Sequence, residues 1–584
     1  TAIAAAIVVA FGVGCASNAA TEVGVRTDAL DSSAWESAQW ISAANAPVLT
    51  SRPEGDRAAD GASWFLSTVK NEQKVTSAKW MTTSLGVYEI YVNGKPVGKE
   101  FLKPGFTDVR KTRRSFTYDL TEAFNTGSGA ENVLSAQVTP GWWADKIVTT
   151  STRNGMYGKK AAFRAVLELT YADGSKKLYG TDLENWKAGV AGPVKHAAIF
   201  DGEEYDAREK MGYEVADKLS KPELNTEFNG EILPSNGAEI YLREDLTLSP
   251  VEAYTWKDVE GAKENEAGKI VISQRFAAGE TIVVKAGETL VVDFGQNSAA
   301  VPAFEFKAKE GTVLTCLPGE LLNDGNGARS RGMDGPEGSV HRENLRTPAT
   351  AFLMKYTFGA GDKFVSYHPT RTFYGYRYAT ITADADVVIK SVSTIPVTSI
   401  AEGLEIGKIS TGDESINKLI SNTYWGQLSN YLSVPTDCPQ RNERLGWTAD
   451  TQVFAETGTF FANTLQFFHK WMRDMRDSQN ELGGFPGVAP YAQYGNEKMR
   501  LGWADAGIIV PWTVWKQFGD KQIIDENWES MNLFLNHIYE TKYNHELLVA
   551  ENGNYQWADW LSYEPLETCG GLHVANGKIM PEAI

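Results

Sequence analysis

The feature that most constrains this chain is a change of hydrophobic period near residue 400. Upstream, from about Trp64 to Ile400, apolar residues alternate in short runs such as YEIYV, FRAVLEL, TIVVK and YRYATIT, broken at short intervals by Gly, Asn or Asp. Period two with frequent turns is the signature of antiparallel β structure. The Asn93-Gly94 pair between YEIYV and KPVG predicts a tight hairpin, because both residues accept positive φ. Downstream of about Thr411 the period lengthens to that of helices, in INKLISNTYWGQLSNYL, TQVFAETGTFF, LQFFHKWMRDMRDSQ, DAGIIVPWTVWKQF and WESMNLFLNHIYE. Strands and helices are segregated along the chain, which predicts a multidomain β plus α protein with N-terminal antiparallel β-sandwiches followed by an all-α domain.

The stretch from Trp64 to Ile400 is longer than one sandwich of roughly 100 to 200 residues. The polar run EVADKLSKPELN just after Tyr213 marks the expected division. The predicted parts are therefore residues 1–22 as a leader, 23–212 and 213–400 as two β-sandwiches, and 401–584 as the helical domain. Aromatic-rich helices joined by short connections suit a barrel of antiparallel hairpins better than a slim bundle. No closing cap precedes Ile584, so the α domain is expected to continue beyond it.

A formal net charge of −18 repels a phosphate backbone, which argues against a nucleic-acid partner. Residues Ala2 to Gly14 are small and apolar, too short to span a bilayer but suited to the core of a signal peptide. Cys15 follows small residues where a lipoprotein peptidase would cut. This predicts export to the periplasm or cell surface, with the only membrane contact a lipid on Cys15, the alternative being that Cys15 leaves with the leader. Cys316, Cys438 and Cys569 are odd in number and far apart, and the seven His show no HExxH-like spacing. Neither a structural disulfide nor a zinc or catalytic metal is expected.

The chemistry concentrates in SVPTDCPQRNERLGWTAD, Ser433 to Asp450, between the first two helices. Pro435 and Pro439 hold Val434 and Cys438 extended, giving a stiff loop on which acids can be positioned. Asp437, Glu443 and Asp450 crowd with Gln440, Arg441 and Arg444 around Trp447. A glycosidase needs one carboxylic acid kept protonated for the leaving oxygen and a second carboxylate to handle water. Glu443 beside Trp447 fits the first role, and a structural ion pair with a neighbouring Arg fits the same residue types. Cover by Trp447 and repulsion from Asp437 or Asp450 favour its protonated form, while Arg441 and Arg444 oppose it. Asp450 reads equally as an acid that caps or complements the following helix. Asp437 reads as an Asx turn or as an acceptor for two sugar hydroxyls.

The segment PTDCPQRNERLGWTAD resembles the signature loop of bacterial α-L-rhamnosidases, and the resemblance extends over nearly the whole chain. YVNGKPVG, LKPGFTDVRKTRRSFTYDLT and DGEEYDAR are similar to that family's N-terminal β domain; DFGQN at 293–297 and YHPTRTFYGYRYATI at 367–381 to its next β-sandwich; LGWADAGIIVPW and WADWL at 557–561 to its barrel. The resemblance implies a six-hairpin α/α barrel and inverting release of terminal α-L-rhamnose from polysaccharides or glycosides. It implies Glu443 as general acid, Asp437 as a carboxylate that binds rhamnose hydroxyls, Asp450 as a supporting acid, Arg441 as a residue orienting the acids, and Trp447, Trp503 and Trp560 as walls of the sugar pocket. The family's general base is a Glu later in the barrel, in sequence this chain does not contain; Asp505 and Asp559 lie near pocket motifs but receive no such role. Asn442 and Ala449 depart from the family pattern, which usually has Asp and Gly there. The resemblance implies no metal or organic cofactor for the reaction, and leaves room for calcium in an accessory β domain. The rival expectations are a hydrolase or lyase of the same fold acting on another sugar, and a non-catalytic sugar-binding lipoprotein.

Overall fold

The computed structural model describes residues 22–48, 61–145, 147, 157–264, 266–325, 335–345, 352–492, 502–539, 543–544 and 549–550. Cys15, Trp557, Asp559, Trp560 and Cys569, on which some of the expectations above rest, lie outside the described residues.

Two sheets build the first β domain. One runs, in spatial order, Val25–Arg26, Thr112–Asp119, Val75–Leu85, Ala162–Tyr171, Ile41–Ser42, Glu223–Leu224; the other Trp186–Val190, Ser63–Lys70, Glu131–Thr139, Val87–Val92, Lys95–Pro96. Their facing side chains, among them Phe65, Trp80, Tyr88, Phe163, Leu167 and Trp186, form one buried core. The Asn93-Gly94 turn has φ of 49° and 76° and sets the register Val92↔Lys95. The alternation in YEIYV thus places Ile90 and Val92 in the core and leaves Glu89 half-buried.

A 13-stranded sheet forms the second β domain around the long strand Thr289–Ala308. The chain does not change sheets at one point. Val194–Ala198 and Gly202–Asp206 already belong to the second sheet, whereas Glu223–Leu224 and Glu231–Pro234 return to the first domain. Most pairings are antiparallel, as the alternation predicts. Gly202–Asp206 with Leu353–Thr357 and Glu231–Pro234 with Thr112–Ser115 are parallel, because long excursions of chain separate each pair.

The helical region begins with α1 (Glu414–Asn430), α2 (Thr448–Phe461), α3 (Leu465–Ser478), α4 (Ala506–Phe518) and α5 (Gln522–His537). Asp413 caps α1 by accepting from the Ser415 and Ile416 amides at 2.8 and 3.2 Å. Helix α2 packs on α4, and α4 on α5. A single hydrophobic cluster runs from Leu290, Phe304 and Tyr376 of the second sheet to Leu428, Tyr431, Phe468 and Trp471 of the helices. The β-sandwich and the helical domain therefore share a core. None of the helices described is long and apolar enough to cross a membrane.

Candidate active site

The loop between α1 and α2 is fixed at three places, each by contact with the β domains or with its own backbone. At its start Ser433 takes φ of 66°, between the short paired segments Tyr431–Leu432 and Val434–Pro435. Its amide donates to Ser399 Oγ at 2.8 Å, and its own Oγ accepts from the Phe106 amide at 2.9 Å. Lys470 of α3, only 3% exposed, donates to the carbonyls of Ser433 and Phe106 and pairs with the fully buried Asp474 at 2.7 Å. One ammonium thus joins the loop, the first β domain and α3.

In the middle, Asp437 and Leu445 exchange two hydrogen bonds. The Asp437 amide donates to the Leu445 carbonyl at 3.0 Å, and Asp437 Oδ1 accepts from the Leu445 amide at 2.9 Å. The local Asx-turn alternative is thereby replaced by a bond eight residues long, which closes residues 438–444 into a loop of their own. Arg444 fixes that inner loop. It takes φ of 52°, is buried, and donates to the carbonyls of Ile199 and Phe373 at 3.0 Å each and of Arg441 at 3.1 Å. Its guanidinium lies against the rings of Phe200, Phe352 and Phe373.

Glu443, 7% exposed, sits in a cluster of its own. Arg441 donates to Oε2 through Nε at 3.1 Å and Nη2 at 2.8 Å, and the Trp447 indole donates to Oε1 at 3.0 Å. Arg441 Nη2 also stands 3.5 Å from Asp437 Oδ2, so one guanidinium bridges the two acids. Burial, followed by the charge of Glu443, pushes the Asp437 carboxyl up to about 7 against the hydrogen bonds of Cys438 and Leu445 and the charge of Arg441. Donor atoms of Asp437, Cys438 and Glu443 lie within 4.8 Å of one another, close enough for a metal ion. The Arg441 guanidinium already supplies the positive charge between the two carboxylates, which makes the set a poor cation site.

Helix α2 starts at Thr448 with Trp447 as its N-cap residue, so Asp450 is the acid of the first turn and not the cap. It complements the helix dipole from an exposed position. Partial loss of solvent and, behind the local backbone hydrogen bond that opposes it, the charge of Glu443 raise its carboxyl above the ordinary range. Trp503, half-buried, lies in the turn before α4, which Gln452 of α2 ties down by donating to the Gly502 carbonyl at 2.6 Å. Asp505 accepts from the Gly502 amide in the same turn.

The structure brings Asp437, Arg441, Glu443 and Trp447 together, with Asp450 within electrostatic reach. Sequence reasoning missed Lys470 and the structural part of Arg444. Lys470 lies in an otherwise aromatic helix stripe four residues before Asp474, a spacing that suggests a pair but not its burial. Nothing in the sequence shows that Arg444 has a left-handed backbone or a cage of phenyl rings.

The acid loop lies at the junction of two β domains and an array of helices, and comparison with known proteins shows which family has this arrangement. Residues 73–227 match the alpha-L-rhamnosidase N-terminal domain, 283–398 the bacterial alpha-L-rhamnosidase concanavalin-like domain, and 404–575 the bacterial alpha-L-rhamnosidase six-hairpin glycosidase domain. The chain belongs to the bacterial alpha-L-rhamnosidase family. It is 32% identical over 501 residues to an alpha-L-rhamnosidase of Streptomyces avermitilis, covering 84% of this chain and 42% of the relative. It is 27% identical over 548 residues to one of Formosa agariphila, covering 92% and 52%. The chain thus spans about half the length of these curated relatives. The crystal structure of the Streptomyces avermitilis alpha-L-rhamnosidase complexed with L-rhamnose superposes with a TM-score of 0.67 at 29% identity, covering 82% of this chain and 42% of that one.

Proposed function

We propose that this chain carries the proton-donor side of an inverting glycoside hydrolase that releases terminal α-L-rhamnose from polysaccharides or glycosides. The observation that carries the reading is the placement of Glu443. It is buried, held by Arg441 and Trp447, and adjoins an Asp437 whose carboxyl is pushed far above its ordinary range. A fixed carboxyl beside a planar indole suits protonation of a glycosidic oxygen, and Asp437 suits paired hydroxyls of the same sugar. On this reading Arg441 orients both acids, Asp450 supports them, and Trp447 and Trp503 wall the sugar pocket. The base that activates water is assigned to none of the described residues; an inverting pair would hold it roughly 6.5 to 9.5 Å from Glu443. The reaction so written needs no metal or organic cofactor. We further propose that the protein is exported and held at the membrane by a lipid on Cys15.

The test is release of p-nitrophenol from its α-L-rhamnoside by the full-length protein, with NMR following which anomer of rhamnose appears first. The β-anomer is expected first, and Glu443→Gln should lower kcat by about 10²–10⁴-fold while the protein stays folded. Undiminished turnover in that variant would remove Glu443 from the role, and first appearance of the α-anomer would overturn inversion.

A further inference from the structure

Cys438 stands inside the acid cluster, yet the reaction as written gives it no part. The two hydrogen bonds between Asp437 and Leu445 close residues 438–444 into their own loop, and Cys438 is the first residue within it. It is 7% exposed. Its Sγ lies within 4.8 Å of a carboxylate oxygen of Asp437 and of Glu443, so the sulfur stands beside both acids. Gln440, two residues on, is pressed against the second sheet: at Gly375 a Cβ would lie 2.7 to 2.9 Å from Gln440 Cβ, Cα and N.

The thiol has a partner on each side. It donates to the Asp437 carboxylate, and its sulfur accepts from the backbone amide of Arg444. That amide belongs to the peptide unit joining Glu443 to Arg444, which the Ile199 and Phe373 carbonyls anchor through the Arg444 side chain. The thiol thus links this anchored backbone to Asp437. Burial and the charge of Asp437 hold the thiol well above its ordinary range, so the sulfur keeps the proton that it donates. Around Asp437, burial and the charge of Glu443 work against the charged form, while the Cys438 thiol, the Leu445 amide and the Arg441 guanidinium work for it. The Leu445 amide also closes the loop and Arg441 also holds Glu443, whereas the thiol gives its single proton to Asp437.

We infer that Cys438 is a positioning residue for substrate binding, its thiol holding the Asp437 carboxylate in the orientation that accepts the hydroxyls of the sugar. The inference rests on the reading of Asp437 as the carboxylate that binds rhamnose. An ionised carboxylate offers roughly four acceptor sites. The thiol and the Leu445 amide take two, which steadies the group and leaves acceptors for hydroxyl donors.

The experiment follows kcat and KM of the full-length protein on p-nitrophenyl α-L-rhamnoside from about pH 4 to pH 9. Cys438→Ala should raise KM about tenfold and change kcat by less than about threefold. It should also move the acid limb of kcat/KM to higher pH, because Asp437 then keeps its proton longer. Cys438→Ser, whose hydroxyl donates in the thiol's place, should restore both. Should Cys438→Ala fail to fold, Cys438→Val, which fills the space without a donor, takes its place. An acid limb that stays where it is, a loss confined to kcat, or a Ser variant no better than the donor-free one would each overturn the inference. Absence of turnover by the unmodified protein would instead overturn the rhamnosidase reading, and the inference with it.

Discussion

The Arg444 guanidinium sits 4.4 Å from the centre of the Phe373 ring while donating to the Phe373 carbonyl at 3.0 Å. A single residue of the second β domain thus meets both the face and the edge of the cation that directly follows Glu443. Since neighbouring residues share a backbone, the second β domain anchors the backbone that carries Glu443, while Arg441 and Trp447 hold its carboxylate.

Replacing Arg444 by Met keeps the stem but leaves the Ile199, Phe373 and Arg441 carbonyls without this donor. Each buried orphan costs about 1–3 kcal/mol. In the full-length protein Arg444→Met should lower kcat on an aryl rhamnoside by about 10²-fold, with KM changed much less. Arg444→Lys, which keeps the charge and loses the fork, should fall between. A folded Arg444→Met protein with ordinary kcat would show that the β domain does not set the acid.

Lys470 and Asp474 are a fully desolvated pair, with burial pushing the lysine down to about 8 and the aspartate up to about 6. Removing one partner strands the other, so Lys470→Met should cost about 3–5 kcal/mol in denaturant unfolding. The double replacement Lys470→Met with Asp474→Leu should recover most of that loss. If the double variant is as unstable as the single, the carbonyls of Ser433 and Phe106, and not the ion pair, are what Lys470 serves.

The raised carboxyl of Asp437 makes a prediction about pH. Its ordinary value is 3.8 and its value in the fold about 7, so between those limits the folded state binds the extra proton. Stability from this group is therefore fully present below about pH 4 and declines as pH rises through 7. Asp437→Asn should flatten that decline, while weakening rhamnoside binding at every pH. Melting temperatures from pH 4 to 8 decide it: equal slopes in both proteins would assign the decline elsewhere.

Much of this architecture is legible in the sequence. The change from period two to period 3.6 locates the helices, and all five stretches read as helical coincide with α1 to α5 to within a few residues. The Asn93-Gly94 turn falls where its tolerance of positive φ places it. The gathering of Asp437, Arg441, Glu443 and Trp447 follows because they share one short loop that two prolines stiffen. What stays illegible is long-range. Arg444 finds the carbonyls of Ile199 and Phe373 at 245 and 71 residues' remove, and Val194–Asp206 joins the second sheet by crossing back over a distance that periodicity does not encode. Asp437 shows the same limit within a loop, since its partner is eight residues away and local turn chemistry points to two.

At Gly375 the missing side chain lets backbone touch side chain and backbone of Gln440, with no space for even a methyl group. The helical domain therefore cannot be handled as an interchangeable cassette. A barrel grafted onto the sandwich of a relative would bring its acids but not the floor on which their loop rests, and a sandwich carrying anything but glycine there would lift the loop by about the thickness of one carbon. For engineers recombining such domains, the second sheet and the helices have to move together.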